Sequence, residues 1–256
     1  MSKLMYDARN DVIMTRKQMG HLDTPAPLGN RHRPVPFVDF IEMVDHSLSS
    51  HGLEIIHEEF AIAENHNRMF GMMEIGAKSG DLIRDDDWSI FLGLRGAHDY
   101  SVPRAIALGS NVMCCSNLCF HGNLGVFSTK QTTNILTRLP SLVDTAVSQI
   151  PEAAEKQQLT FDGLRNFQMK QKDGDAALVE LLRRGGLAGG QMARAVQEWD
   201  RPSYEEHAEQ GFTAWRLLNA CTEAVKPQSE AGVSMDTINH KTQIQSDFVN
   251  ELAHVA

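Results

Sequence analysis

The sequence predicts an α+β protein: a small, mainly antiparallel sheet with one short crossover helix and a long helix, followed by a helical C-terminal half. Three observations predict it. Apolar residues recur at steps of three and four from Phe37 to Leu48 and again from Ile135 to Ile150. Between those two stretches, short alternating or wholly apolar runs are separated by turn residues. Beyond Pro151 no strand pattern appears. The chain has 256 residues, 42% of them apolar, which is enough for one large domain or two small ones. Three regions are expected: an extended basic N-terminal arm over 1–36, an α+β core over 37–150 and a helical region over 151–256.

The arm is rich in turn formers (Pro25, Pro27, Gly29, Asn30, Pro34 and Pro36), which resist regular structure. Phe37, Ile41, Val44 and Leu48 then share one helix face, and Gly52 is a stop signal. Alternation places Ile56, Phe60 and Ile62 on one strand face with Glu58. Asn65-His66-Asn67 is a turn, and Met69 to Ile75 is the returning strand of a hairpin. Trp88 to Arg95 reads as a third strand. Ser101, Pro103 and Gly109 fit the cap, first turn and end of a short helix. Asn111 to Phe120 reads as a buried strand. The helix through Ile135, Leu139, Val143, Val147 and Ile150 contains Pro140, which either kinks it or marks the start of its main part. Short helices are expected over 159–169, 176–184 and 191–199, broken by Gly185-Gly186 and Gly189-Gly190. Ser203-Tyr204-Glu205-Glu206 has the form of a capping box, opening a helix with Phe212, Trp215, Leu218 and Val225 inward. A last helix is expected over 242–253.

The net charge of −9 argues against a uniformly basic nucleic-acid binder. The charge is uneven, however. Residues 1–36 are net +3, residues 37–150 net −7 and residues 151–256 net −5. The positive arm carries Arg16, Lys17, Arg31 and Arg33. Further along, Arg95, Arg104, Lys130 and Arg138 could line a groove, with Trp88 or Phe91 as base-stacking surfaces. The chain has no apolar run of membrane-spanning length, and its first residues lack the apolar core of a signal peptide. No membrane partner is expected.

No chemical motif declares an activity. Cys114, Cys115 and Cys119 lack the second spaced pair that zinc sites use, so they and Cys221 read as free thiols. Asp85-Asp86-Asp87 reads as a solvated acidic turn. His98-Asp99 is the most site-like dipeptide, since a carboxylate can orient an imidazole for acid–base work. A loop-stabilising network explains it equally well. The glycine-rich run from Arg183 to Gly190 lacks the ending of a phosphate-binding loop, and neither a Gly-x-Ser-x-Gly elbow nor a His-Glu-x-x-His pair occurs. No metal and no cofactor is called for, and the reading favours binding over catalysis.

Several pieces in order carry a resemblance. They are Pro34-Val35-Pro36-Phe37, Gly52-Leu53-Glu54, Met69-Phe70-Gly71, Leu92-Gly93-Leu94-Arg95-Gly96-Ala97-His98-Asp99, Cys115-Ser116-Asn117-Leu118 and Trp215-Arg216-Leu217-Leu218-Asn219-Ala220-Cys221-Thr222-Glu223. Together they resemble the phage/plasmid-like protein family, a group of bacteriophages, prophages and plasmids whose domain has no defined function. The likeness runs from about residue 30 to 225. This chain has Gly96-Ala97 where the family usually has Asn-Ser, and no His in Lys130-Gln131-Thr132, where the family often has one. The resemblance implies a mobile-element setting in the host bacterial cytoplasm, not a reaction.

Three functions follow as expectations. The first is a phage or plasmid protein of DNA metabolism that binds single-stranded nucleic acid and promotes annealing in recombination or replication. Three strands followed by a long helix are loosely similar to single-strand annealing proteins. The second is an acidic interaction protein acting on a host protein, in host takeover, anti-defence or DNA mimicry, motivated by the −7 of residues 37–150. The third is a metal-dependent nuclease using His98, Asp99 and the Asp85–Asp87 run. The apolar helix faces after Pro151 allow a homo-oligomer or simply cover the sheet.

Overall fold

The computed structural model describes residues 3–5, 11–63, 66–78, 84–85, 88–110, 112–115, 120–122, 124–226 and 235–254. In chain order the first unit contains β1 (Lys3–Met5), β2 (Val12–Ile13), α1 (Arg16–Met19), α2 (Phe37–Ser50), β3 (Leu53–Ala63) and β4 (Arg68–Ala77). It continues with β5 (Arg84–Asp85), β6 (Trp88–Ala97), β7 (Arg104–Gly109), β8 (Val112–Cys115), β9 (Phe120–Gly122), β10 (Gly125–Thr129) and α3 (Ile135–Ser148). Then follow α4 (Ile150–Asn166), α5 (Gln171–Arg184), α6 (Gly189–Asp200), α7 (Glu205–Glu209), α8 (Ala214–Val225) and α9 (Met235–His254). The chain divides into two compact units, 1–156 and 157–256, and the division falls inside α4. The α+β class stands, with the helices gathered toward the C-terminal half.

The main sheet is antiparallel in the order β10-β7-β6-β4-β3-β2, with β5 also paired to β6. Helices α2 and α3 pack on one face of it. There Phe37, Phe40, Ile41, Val44 and Leu48 of α2 and Ile135, Leu139, Val143 and Val147 of α3 are all buried. Each such side chain contributes about 1.5–3 kcal/mol by leaving water. By strand alternation Met69 and Met73 share that face, whereas Ala61, Ala63, Phe70 and Met72 form a cluster on the opposite one. Beside β4, β6 and β7 run β1, β8 and β9, which make a separate three-stranded sheet.

The expected hairpin is β3–β4, turned at His66 with φ 67°. A bulge between Ile55 and His57 shifts the register, and Ile56 is left 42% exposed instead of sharing the face of Phe60. Gly52, at φ 74°, follows the end of α2 as its stop signal implied. The short helix expected after Ser101 is instead β7, paired between β6 and β10. All six of its residues are buried, so the solvent-facing alternation that marks a strand is missing. Pro140 is exposed inside α3, which begins five residues earlier, and its missing N–H removes one ladder bond on the solvent side.

The N-terminal stretch expected as an arm packs on the first unit at two places, residues 11–19 and 32–36. Val12 and Ile13 pair with Ile62 and Ala61 of β3. Thr15 and Gln18 form a capping box on α1, and Met19 and Val35 are buried. Arg16 is held by Asp45 and Glu58. Burial opposes its charge, but the two carboxylates outweigh that and raise its pKa. Between these packed ends, residues 21–31, with Pro25, Pro27, Gly29 and Asn30, lie in no helix or strand and are exposed except for Leu22, as expected of an extended stretch.

In the second unit Trp199, Trp215, Leu217, Leu181, Cys221 and Val249 are buried together. Arg216 ties the end of α6 to the start of α8 by donating to the carbonyls of Trp199, Asp200 and Gly211. The Glu206 side chain, the other half of the capping box expected at Ser203, lies outside the described residues. Ser203 donates from both its amide and hydroxyl to Glu198, at 2.9 and 2.6 Å, and Thr213 is the side chain that caps α8. Trp215, Leu218 and Val225 are inward as expected. Among the described residues, no helix is long and apolar enough to cross a membrane.

Candidate functional site

The site begins where β10 ends. The chain leaves Thr129 and runs back beside residues 31–33, forming an isolated antiparallel bridge between His32 and Thr132. The Arg33 amide donates to Gln131 O at 3.2 Å. A tight turn precedes the bridge: the His32 amide donates to Gly29 O, and the Leu28 amide donates to His32 Nδ1 at 2.9 Å. Arg31 and Arg33 flank His32 in the chain, and Lys130 lies two residues before its bridge partner Thr132. All three cations are exposed. His32 itself is 4% exposed, and burial lowers its pKa, so it is neutral at pH 7. Its ring lies 4.2 Å from that of Tyr100, tilted by 44°. Tyr100 sits at φ 66° and is 45% exposed, presenting an aromatic surface beside His32.

A buried polar clamp holds this surface from below. The Val35 amide donates to Gln131 Oε1 at 3.0 Å, and Gln131 Nε2 donates to Ala97 O. Arg104 Nη2 donates to Val35 O. Both backbone polar groups of Val35 are therefore satisfied by side chains from the sheet side, as a buried backbone requires. The Arg104 guanidinium lies 4.5 Å from the centre of the Phe37 ring and is fully buried. Burial pushes its pKa down to about 9, so it still carries its charge at pH 7. Gly96 makes room for it: a Cβ there would come within 2.2 Å of Arg104 Nη1.

His98 belongs to this clamp. It is 3% exposed, its ring stacks 4.1 Å from Phe37, and its Nδ1 lies 3.5 Å from Arg104 Nη2. Burial first, then the Arg104 charge, pushes its pKa down to about 4. Asp99 does not orient it. The Asp99 carboxylate accepts from the amide and hydroxyl of Ser101, and Arg68 Nε donates to the same hydroxyl at 3.0 Å. Burial opposes ionisation of Asp99, but the Ser101 hydrogen bonds outweigh it and hold its pKa below the ordinary value. The dipeptide stabilises a loop rather than forming an acid–base pair.

Of the six cations expected to contact nucleic acid, Arg31, Arg33 and Lys130 are exposed on the two segments that the bridge joins. Arg138 is exposed on α3, a turn beyond Asn134. Arg104 is corrected: it is wholly buried against α2 and cannot meet a ligand. Arg95 pairs with Ala105 and so projects from the sheet face opposite Arg104, which breaks the groove expected of these two. Phe91 packs with Phe70 and Met72. Asp86, Asp87 and Cys119 lie outside the described residues, as do the side chains of Trp88, Asp85, Cys114 and Cys115. Cys221 is buried, which pushes its thiol up to about 12 and makes it inert. Among the described residues no group of three or more His, Cys, Asp or Glu is placed to hold a metal ion. Tyr100, His32 and Gln131 were not singled out from sequence. Tyr100 was legible only as a loop residue, and a bridge between positions a hundred residues apart leaves no local pattern. Comparison of the chain with protein-family models, curated proteins and solved structures returns no match.

Proposed function

We propose that this chain binds single-stranded nucleic acid through Arg31, Arg33, Lys130 and Tyr100. The observation that carries this reading is the His32–Thr132 bridge, which lays the segment holding the exposed Arg31 and Arg33 beside the one holding the exposed Lys130, while the exposed Tyr100 ring packs on His32. Cations attract phosphates without regard to sequence, and an aromatic face stacks on any base. A single strand offers both at once, whereas duplex bases are already stacked on one another. A buried clamp that fixes the backbone beneath suits such a surface, because less ordering remains to be done on binding. The resemblance to the phage/plasmid-like family supplies the setting for the proposal: DNA metabolism of a mobile element in the host cytoplasm, with annealing in recombination or replication as the task.

Fluorescence anisotropy with a labelled oligothymidylate tests the reading. Tyr100→Ala is expected to weaken binding by about 1–3 kcal/mol, the worth of one stacked base. Arg31→Ala, Arg33→Ala and Lys130→Ala are each expected to weaken it on every sequence alike. No anisotropy change with the unaltered protein at low salt would overturn the proposal.

A further inference from the structure

We infer that the groove between β10 and α3 seats the sugar–phosphate backbone of the bound strand, with Arg138 taking a phosphate and nearby hydroxyls donating to its oxygens. This rests on the reading of the cationic surface just given and extends it along the last strand of the sheet.

The groove has a volume of about 500 Å³. Ser128 and Thr129 line it from β10, and Thr137, Arg138 and Ser141 from α3. Thr129 leads directly to Lys130, so the groove opens beside the cationic surface without a break in the chain. Among the described residues, Arg138 is the charged one that lines it. The nearest acidic residue of α3 is turned away: Asp144 accepts from the Ser47 hydroxyl of α2 at 3.4 Å and lies 3.8 Å from His51 Nε2. Among the described residues, Arg138 makes no ion pair, and the hydroxyls of Ser128, Thr137 and Ser141 make no hydrogen bond.

Hydroxyl donors around a guanidinium, with no carboxylate to compete, match an anion rich in acceptor oxygens. A phosphodiester is such an anion, and Arg and Ser/Thr side chains are among the usual donors to it. Phe127 and Leu142 add an apolar wall against which sugar carbons can rest. The strand would pass from Tyr100, where a base stacks, across Lys130 and into the groove.

The test compares four forms of the full chain on the same labelled oligothymidylate at low salt. The first is the unaltered protein. The second is a Ser128→Ala/Thr137→Val/Ser141→Ala variant, which removes donors without changing charge. The third is Ser141→Lys, and the fourth is Arg31→Ala/Arg33→Ala. The donor variant is expected to bind at least tenfold more weakly, because each lost donor served a charged group. Ser141→Lys is expected to bind more tightly and with a steeper salt dependence. The thermal midpoints of both groove variants should match the unaltered protein, because the altered side chains lie at the surface of the groove. If both groove variants bind as the unaltered protein does while Arg31→Ala/Arg33→Ala weakens, the groove inference fails and the cationic surface stands. If the unaltered protein does not bind, both fail.

Discussion

At the residue scale, Arg104 and Gly96 form one packing unit. The guanidinium has a fixed place between Val35 O and Phe37, and the missing side chain at position 96 leaves space for it. Gly96→Ala is therefore expected to lower unfolding stability by about 1–3 kcal/mol, the usual cost of overpacking a filled site. In an Arg104→Ala background the same change should cost less, and a double-mutant cycle in urea would measure the coupling. This also gives a physical reason for Gly96-Ala97 in a chain with Arg104 beneath it. His98 sets a pH dependence in the same clamp. Its pKa falls from about 6.5 unfolded to about 4 folded, so the unfolded chain binds the extra proton between those values. Stability from this group is fully present above pH 6.5 and is lost as pH falls toward 4. Denaturation across that range should show stability rising with pH, with a shallower rise in His98→Phe. The clamp was only half legible in sequence. His98-Asp99 stood out as a polar pair in a loop, but the partners that bury it, Arg104, Gln131 and Val35, are scattered over a hundred residues.

At the scale of elements, helical spacing was the reliable signal. Phe37, Ile41, Val44 and Leu48 are all buried on α2, and Ile135, Leu139, Val143 and Val147 on α3, because one face of each packs on the sheet. The hairpin of β3 and β4 was legible from alternation and its turn. Several strands were not, β7 and β10 among them. β7 is buried on both faces, and its Ala-Ile-Ala-Leu run carries helix-forming residues with no period of two. β10 has five residues, too few to separate a strand from a loop. Helix α5 shows tertiary contact overriding intrinsic preference. A Cβ at Gly174 would come within 2.1 Å of the fully buried Trp199 ring. Alanine there should gain about 1 kcal/mol of helix propensity. Displacing the indole, whose Nε1 donates to Gln171 O at 3.3 Å, costs more. Gly174→Ala is thus expected to destabilise the protein by about 1–2 kcal/mol net, read as a lower urea midpoint.

For the whole molecule, a net charge of −9 and binding of a polyanion are compatible only if the cations are segregated. The sequence showed that segregation as a positive first 36 residues. It did not show the His32–Thr132 bridge, which lays the segment of Arg31 and Arg33 beside the segment that Lys130 opens. An acidic remainder should repel nucleic acid elsewhere and confine contact to a small number of phosphates. The salt dependence of binding reports that number. Plotting log affinity for an oligothymidylate against log salt should give a negative slope, about −0.7 for each phosphate neutralised. Replacing Arg31, Arg33 and Lys130 together by alanine should make the slope shallower by about 0.7 for each lost contact. A slope left unchanged by all three replacements, or no binding at low salt, would contradict the assignment of this surface to single-stranded nucleic acid.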